Sequence, residues 1–165
     1  MRYKAKEEDE DTVALRGALE PVLGGLGLSL VELNLFRRGK RGGGTVQVRL
    51  VLTRSALGTD DLAAAHRALL PSLELAFPGG GLQVELSSPG TDRLVREGAE
   101  FRHYTGRGIR VYRTDTSQWC GGVLRASDTE KILLETPAES EGGQGGIIEI
   151  PYSIIAKARL DDSFR

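Results

Sequence analysis

"LQVELSSPGTDRLV", Leu82 to Val95, begins as a strand and ends as a charged segment, with Ser-Ser-Pro-Gly between the two. Leu82, Val84 and Leu86 alternate with Gln83 and Glu85, the period-two pattern of a half-buried strand. Three readings of Ser87 to Gly90 compete: a nucleophile loop, a turn, or a joint between domains. A nucleophilic serine needs a base within hydrogen-bond reach and usually sits in a glycine-flanked elbow. Neither flank of Ser87 or Ser88 matches. His66 falls in a helical pattern and His103 stands beside aromatics in "FRHYTGR", so neither is placed as that base. A turn asks for less. Pro89 fixes φ at a second turn position, and Gly90 is read at the positive φ that a type II turn requires next. Ser87 and Ser88 then bond nearby backbone, while Asp92 pairs with Arg93 or Arg96 or caps a short turn.

Composition limits what surrounds this segment. The chain has 165 residues and 39% apolar content, enough for one ordinary core or two small ones. No run of about 18 apolar residues occurs, and the opening "MRYKAKEEDEDT" lacks the apolar core of a secretion signal. The expectation is a soluble, cytoplasmic protein that does not engage a membrane. Cys120 is the one cysteine, which excludes an internal disulfide, and with His66 and His103 it gives no zinc spacing. Neither a metal nor any other cofactor is expected.

Charge informs locally rather than globally. The net charge is −1, which disfavours a purely electrostatic grip on RNA. Two concentrations remain: Arg37, Arg38, Lys40 and Arg41 in a turn, and six arginines from Arg93 to Arg113, which include Arg107 and Arg110, against Glu97 and Glu100. Each is either a solvated surface or an RNA contact. Within the turn, "GKRG" (Gly39 to Gly42) matches the Gly-x-x-Gly loop of KH modules. That loop joins two helices, however, and these residues lie between two expected strands.

Working outward toward the amino end, Asp11 or Thr12 is expected to cap a helix carrying Leu15, Leu19, Val22 and Leu23 on one face. Pro21 should kink or shorten it. Val31, Leu33 and Leu35 form a first strand. Val46, Val48, Leu50 and Leu52 form a second, paired with it as a hairpin. Thr59 followed by Asp60 and Asp61 starts another helix, with Leu62, Ala65, Leu69, Leu73 and Ala76 in a stripe and Pro71 again predicting a kink or early end. Leu82 to Leu86 is the third strand. Two helices on one face of a three-stranded sheet make a two-layer α/β domain.

Beyond the Ser-Pro-Gly segment no long amphipathic helix follows. Short strands take over at Ile109 to Arg113, Trp119 to Ala126, Lys131 to Glu135, Ile147 to Ile150 and Ala156 to Leu160. Five short strands suggest a small barrel, so the chain reads as α+β with domains at residues 1 to 90 and 91 to 165. "ESEGGQGG" is a hairpin tip rather than a phosphate cradle, since no Gly-Lys-Ser/Thr follows it.

The segment "LQVELSSPGTDRLV" closely resembles the most characteristic stretch of the bacterial ribosome maturation factor RimP family, a strand followed by Ser-Ser-Pro-Gly, one variable residue and Asp-Arg. "LEPVLGGLGLSLVELNL", "TDDLAAAHRAL", "FRHYTGRGIRVY" and "IPYSIIAKARL" resemble further family segments in order, so the similarity covers roughly residues 12 to 162. The chain departs from the pattern at Thr91 and Leu94, where leucine and proline are common. It also departs at Thr53, where the family has Asp, at His66, where serine is usual, and at Gly142 to Gly146, which lengthen a hairpin.

The resemblance implies that the amino-terminal α/β domain is followed by an SH3-like or Sm-like β-barrel. It implies a non-catalytic assembly factor with no small-molecule substrate, expected as a monomer. Such a factor associates with the immature small ribosomal subunit and its 16S rRNA, and its carboxy-terminal domain is linked to recruiting small-subunit ribosomal protein twelve. Ser87, Ser88, Pro89, Gly90, Asp92 and Arg93 then form the joint between domains. Arg37, Arg38, Lys40, Arg41, Arg107 and Arg110 are candidate RNA contacts. Asp128, Glu130, Tyr152, Ile154 and Asp161 are candidate contacts for the basic ribosomal protein. The rival readings are a free-standing RNA-binding module and a small serine enzyme.

Overall fold

The structure is a computed structural model that describes residues 1, 8–39, 44–54, 56–79, 81–137 and 145–164. The chain divides into two compact units, Glu7–Pro89 and one built on Gly90–Arg165.

In the first unit, helix α1 spans Glu10–Gly25. Its N-cap is Asp9, whose carboxylate accepts from the Thr12 N–H at 2.9 Å, so the helix starts ahead of the expected Asp11 or Thr12. Three carboxylates in succession, Asp9 to Asp11, all suit the positive helix end. Burial decides among them, because this register puts Thr12, Leu15, Leu19 and Leu23 inward. Strand β1 (Ser29–Arg38) pairs antiparallel with β2 (Thr45–Thr53). A bulge between Leu30 and Glu32 places Leu30, Leu33 and Leu35 opposite Leu52, Leu50 and Val48. Helix α2 (Thr59–Ala76) then carries the chain across to β3 (Leu82–Ser87), which lies parallel to β2.

The expected Thr59 cap is replaced at the start of α2. Its N-cap residue is Gly58, whose N–H donates to the Asp61 carboxylate at 2.8 Å. Ala65, Leu69 and Leu73 face Leu15, Leu19 and Leu23 of α1 and the sheet residues Val48, Leu50 and Leu52 in one core. Both helices continue through their prolines. Pro21 and Pro71 are exposed, as are Gly17 and Arg67, whose carbonyls lose a partner and can bond water instead. The buried leucines on either side outweigh that loss.

The second unit is nearly all strand: β4 (Leu94–Val95), β5 (Gly108–Arg113), β6 (Gln118–Ser127), β7 (Lys131–Thr136), β8 (Gly146–Pro151) and β9 (Ile155–Leu160). They form one antiparallel sheet ordered β4-β9-β5-β6-β7-β8. The five expected strands are present, and the two-residue β4 joins them. Among the described residues, β4 and β8 do not pair, so hydrogen bonds do not close the sheet into the expected barrel. Instead a 3-10 helix, Gly98–Tyr104, follows β4 and buries Phe101 and Tyr104 completely. They join a core of Ile109, Val111, Leu124, Ile132, Leu134, Ile150, Ile155 and Leu160.

Candidate functional site

Ser87 ends β3 opposite Val51, and its hydroxyl points at the Leu50 carbonyl, 3.5 Å away. Ser88 is exposed and Pro89 is buried. Gly90 is absent from the positive-φ glycines, which overturns the type II turn expected at Pro89-Gly90. The turn lies further on, where the Arg93 N–H donates to the Gly90 carbonyl at 3.2 Å across Thr91 and Asp92. This shift lets the Arg93 carbonyl accept from the Leu160 N–H at 2.9 Å and start the pairing of β4 with β9. The Arg93 guanidinium lies 3.7 Å from Glu100, and Asp92 is exposed in the turn.

Of the arginine turn, Arg37 and Arg38 end β1, while Lys40 and Arg41 lie outside the described residues. Arg37 pairs with Asp11 at 2.7 Å, both side chains being 62% exposed. The "GKRG" match falls between two antiparallel strands rather than two helices, and of its residues only Gly39 is among the described ones. Nearby, on the sheet face away from the helices, the Arg49 guanidinium lies 5.7 Å from the centroid of the Phe36 ring and pairs with Glu85 at 2.9 Å.

Arg107 and Arg110 are engaged by the segment after β9. Arg107 pairs with Asp162 at 2.8 Å, and Arg110 with Asp161 at 3.0 Å. The Arg110 guanidinium also sits 5.6 Å from the Phe164 ring. A hydrogen bond from the Ser163 hydroxyl, together with the Ser163 N–H and the Arg110 charge, holds the Asp161 carboxyl below its ordinary range. Gly108 and Gly121 permit this arrangement, and Gly122 permits the close approach of β7. A Cβ on Gly108 would collide with the Asp161 and Phe164 carbonyls, and one on Gly121 with the Phe164 ring; one on Gly122 would collide with the Glu135 carbonyl. A cavity of about 330 Å³ borders the segment, lined by Gly122, Arg125, Glu135, Ser163 and Phe164 among others.

Asp128, Glu130 and Tyr152 gather at the β6–β7 turn. The Asp128 carboxylate accepts from the N–H groups of Glu130 (2.7 Å) and Lys131 (2.8 Å), which hold its pKa below the usual value. Tyr152 is 4% exposed; its hydroxyl donates to the Asp128 carbonyl and its ring lies 5.7 Å from Phe101. It is therefore a core residue with almost no surface to offer a partner. Ile154 is half-buried.

The sequence reading missed one cluster, on the outer face of β9, β5 and β6. Tyr112 pairs with Trp119 on β6 and Lys157 on β9, while Arg110 pairs with Gly121 and Arg159. The Tyr112 and Trp119 rings meet edge-on, 5.5 Å apart at 68°, and the Arg159 guanidinium lies 5.4 Å from the Trp119 centroid. Trp119 is 45% exposed. The signal was present: Tyr112 and Trp119 flank the "TDTS" turn at mirrored positions, which makes them cross-strand neighbours in a hairpin. Beside them, burial pushes the half-buried Cys120 thiol above its usual pKa, although the Arg113 charge opposes the shift.

No protein-family model matches the chain. Curated relatives do. The chain is 27% identical over 135 residues to a protein named ribosome maturation factor RimP from Borrelia garinii subsp. bavariensis, covering 82% of this chain and 85% of the relative. A protein of the same name from Borrelia turicatae shows the same identity and coverage. One from Borreliella burgdorferi is 26% identical over 142 residues, 86% of this chain and 90% of that protein. Matches of this length exceed either compact unit alone, so the similarity runs through both.

Proposed function

Because this chain belongs to the ribosome maturation factor RimP family, we propose that it acts as a ribosome maturation factor in the cytoplasm, binding immature small subunits and promoting the recruitment of ribosomal protein twelve. The observation that carries this reading is the similarity extending through both units. Binding takes the place of chemistry in this account. The protein works as a monomer with domains at residues 1 to 90 and 91 to 165, the Ser87 to Arg93 segment being their joint. The second domain is a variant of the SH3-like or Sm-like barrel whose first strand is reduced to two residues.

The division of labour follows from charge. The turn containing Arg37, Arg38, Lys40 and Arg41, together with Arg107 and Arg110, faces phosphates of 16S rRNA. Asp128, Glu130 and Asp161 draw in the basic ribosomal protein, with Ile154 at the edge of that contact. Titrating the whole chain with purified ribosomal protein twelve at physiological salt tests the second half of this account. The wild type binds, and Asp128→Asn with Glu130→Gln slows association with a weaker salt dependence. No binding by the wild type would remove the recruitment role.

A further inference from the structure

We propose that the outer face of β9, β5 and β6 is a platform for single-stranded RNA on which an unpaired base stacks against Trp119. Strand alternation builds it. Ile109, Val111 and Ala158 turn inward and are at most 1% exposed, so their neighbours Arg110, Tyr112, Lys157 and Arg159 turn outward, joined across the ladder by Trp119. Leu94, paired with Arg159 through β4, is 59% exposed and extends the face with an apolar surface.

The face combines rings and cations. Trp119 meets the Tyr112 ring at a steep angle and has the Arg159 guanidinium 5.4 Å from its centroid, and Phe164 lies against Arg110. With 45% of Trp119 exposed, the indole retains surface for a planar ligand. Among the described residues, Arg159 Nε has no hydrogen-bond partner. Lys157 and Arg159 supply positive charge, and the Asp161 carboxylate close to Arg159 is bonded to Arg110 and Ser163.

Rings combined with cations suit a strand that offers bases to stack on and phosphates to pair with. A duplex keeps its bases stacked on one another and has none to give. A proline-rich peptide would use the rings but not the cations, and a basic protein would be repelled. The inference rests on the assembly-factor reading for the identity of the RNA, but not for its single-stranded form.

Trp119 is the only tryptophan in the chain, so intrinsic tryptophan emission reports on the site directly. The test titrates the whole protein with a uridine-rich RNA oligonucleotide of about ten nucleotides, a length within the usual single-strand site range, then with a duplex of equal length and a proline-rich peptide. The single strand is expected to quench emission saturably, the duplex and the peptide not. By anisotropy of labelled RNA, Trp119→Ala should bind about ten-fold more weakly or worse, with Trp119→Phe retaining most of the affinity. Lys157→Gln with Arg159→Gln should flatten the salt slope by roughly 1.4. Unchanged RNA affinity in Trp119→Ala, equal quenching by duplex, quenching by the peptide instead, or no RNA binding would each overturn the platform. Loss of oligonucleotide binding with association to precursor subunits intact defeats this inference alone. Intact stacking on Trp119 without precursor association defeats the assembly role and leaves the platform standing.

Discussion

Arg110 Nε lies 3.0 Å from Asp161 Oδ2, so a residue that reads in the sequence as an RNA contact is bonded to one that reads as a contact for a basic protein. Either ligand must compete with this pair. If Arg110 meets phosphate, Asp161→Asn should tighten binding to precursor particles by up to roughly five-fold, the scale of one partly exposed ion pair at about 1 kcal/mol. Co-sedimentation across a salt series measures this. Unchanged affinity would remove Arg110 from the RNA surface.

The adjacent glycines Gly121 and Gly122 should respond unequally. Gly122→Ala drives a methyl into the Glu135 carbonyl, part of the β6–β7 ladder, and should cost about 1–3 kcal/mol. Gly121→Ala meets only the Phe164 ring, which can swing away. In Phe164→Ala the added penalty of Gly121→Ala should shrink, a coupling that a double-mutant cycle by thermal denaturation will resolve. Equal penalties in both backgrounds would mean the ring does not occupy that slot.

Gly81 rather than Gly90 needs to be glycine. Gly81 has φ of 71°, and a Cβ there would come 3.1 Å from the Gly44 carbonyl oxygen, whereas one on Gly90 would make only ordinary contact with Asp92. Gly81→Ala should destabilise by about 1–3 kcal/mol and Gly90→Ala by less than about 0.5 kcal/mol in urea unfolding. The reverse order would restore the type II turn.

Asp128 should contribute to acid sensitivity. Its folded pKa is lowered, first by the Glu130 N–H and then by that of Lys131. The stabilisation is therefore complete above the ordinary aspartate value of about 3.9 and disappears as pH falls through the lowered folded value. The stability difference between wild type and Asp128→Ala, followed by denaturant melts, should be constant at neutral pH and shrink below that value. A difference independent of pH would mean the carboxylate does not cap the turn.

What the sequence disclosed was backbone periodicity. Val46, Val48, Leu50 and Leu52 alternate whatever they pack against, and so do the strands after Gly108; the α+β order could therefore be read directly. Helix starts were harder, because Asp9, Glu10 and Asp11 offer the same chemistry and only tertiary burial of Thr12 and Leu15 chooses among them. Pro21 and Pro71 misled because the cost of a proline depends on whether its face is solvated. Pro89-Gly90 misled because glycine permits a positive φ without requiring one.

The candidate contacts were less legible. Arg110 and Asp161 are far apart in sequence, and antiparallel pairing of β5 with β9 brings them together. Tyr152 reads equally well as an anchor or as core until its burial is known. Trp119 escaped notice because a lone tryptophan in a strand suggests core, and it is the register against Tyr112 and Arg159 that turns it outward.

The central claim is that this protein engages small subunits before they mature. Its most direct test is sedimentation of a lysate carrying the tagged, full-length chain through a sucrose gradient, followed by detection of the tag across the fractions. The account predicts the protein in fractions holding precursor 16S rRNA and its absence from mature small subunits and translating ribosomes. Equal occupancy of precursor and mature subunits, or a protein confined to the top of the gradient at low salt, would contradict it.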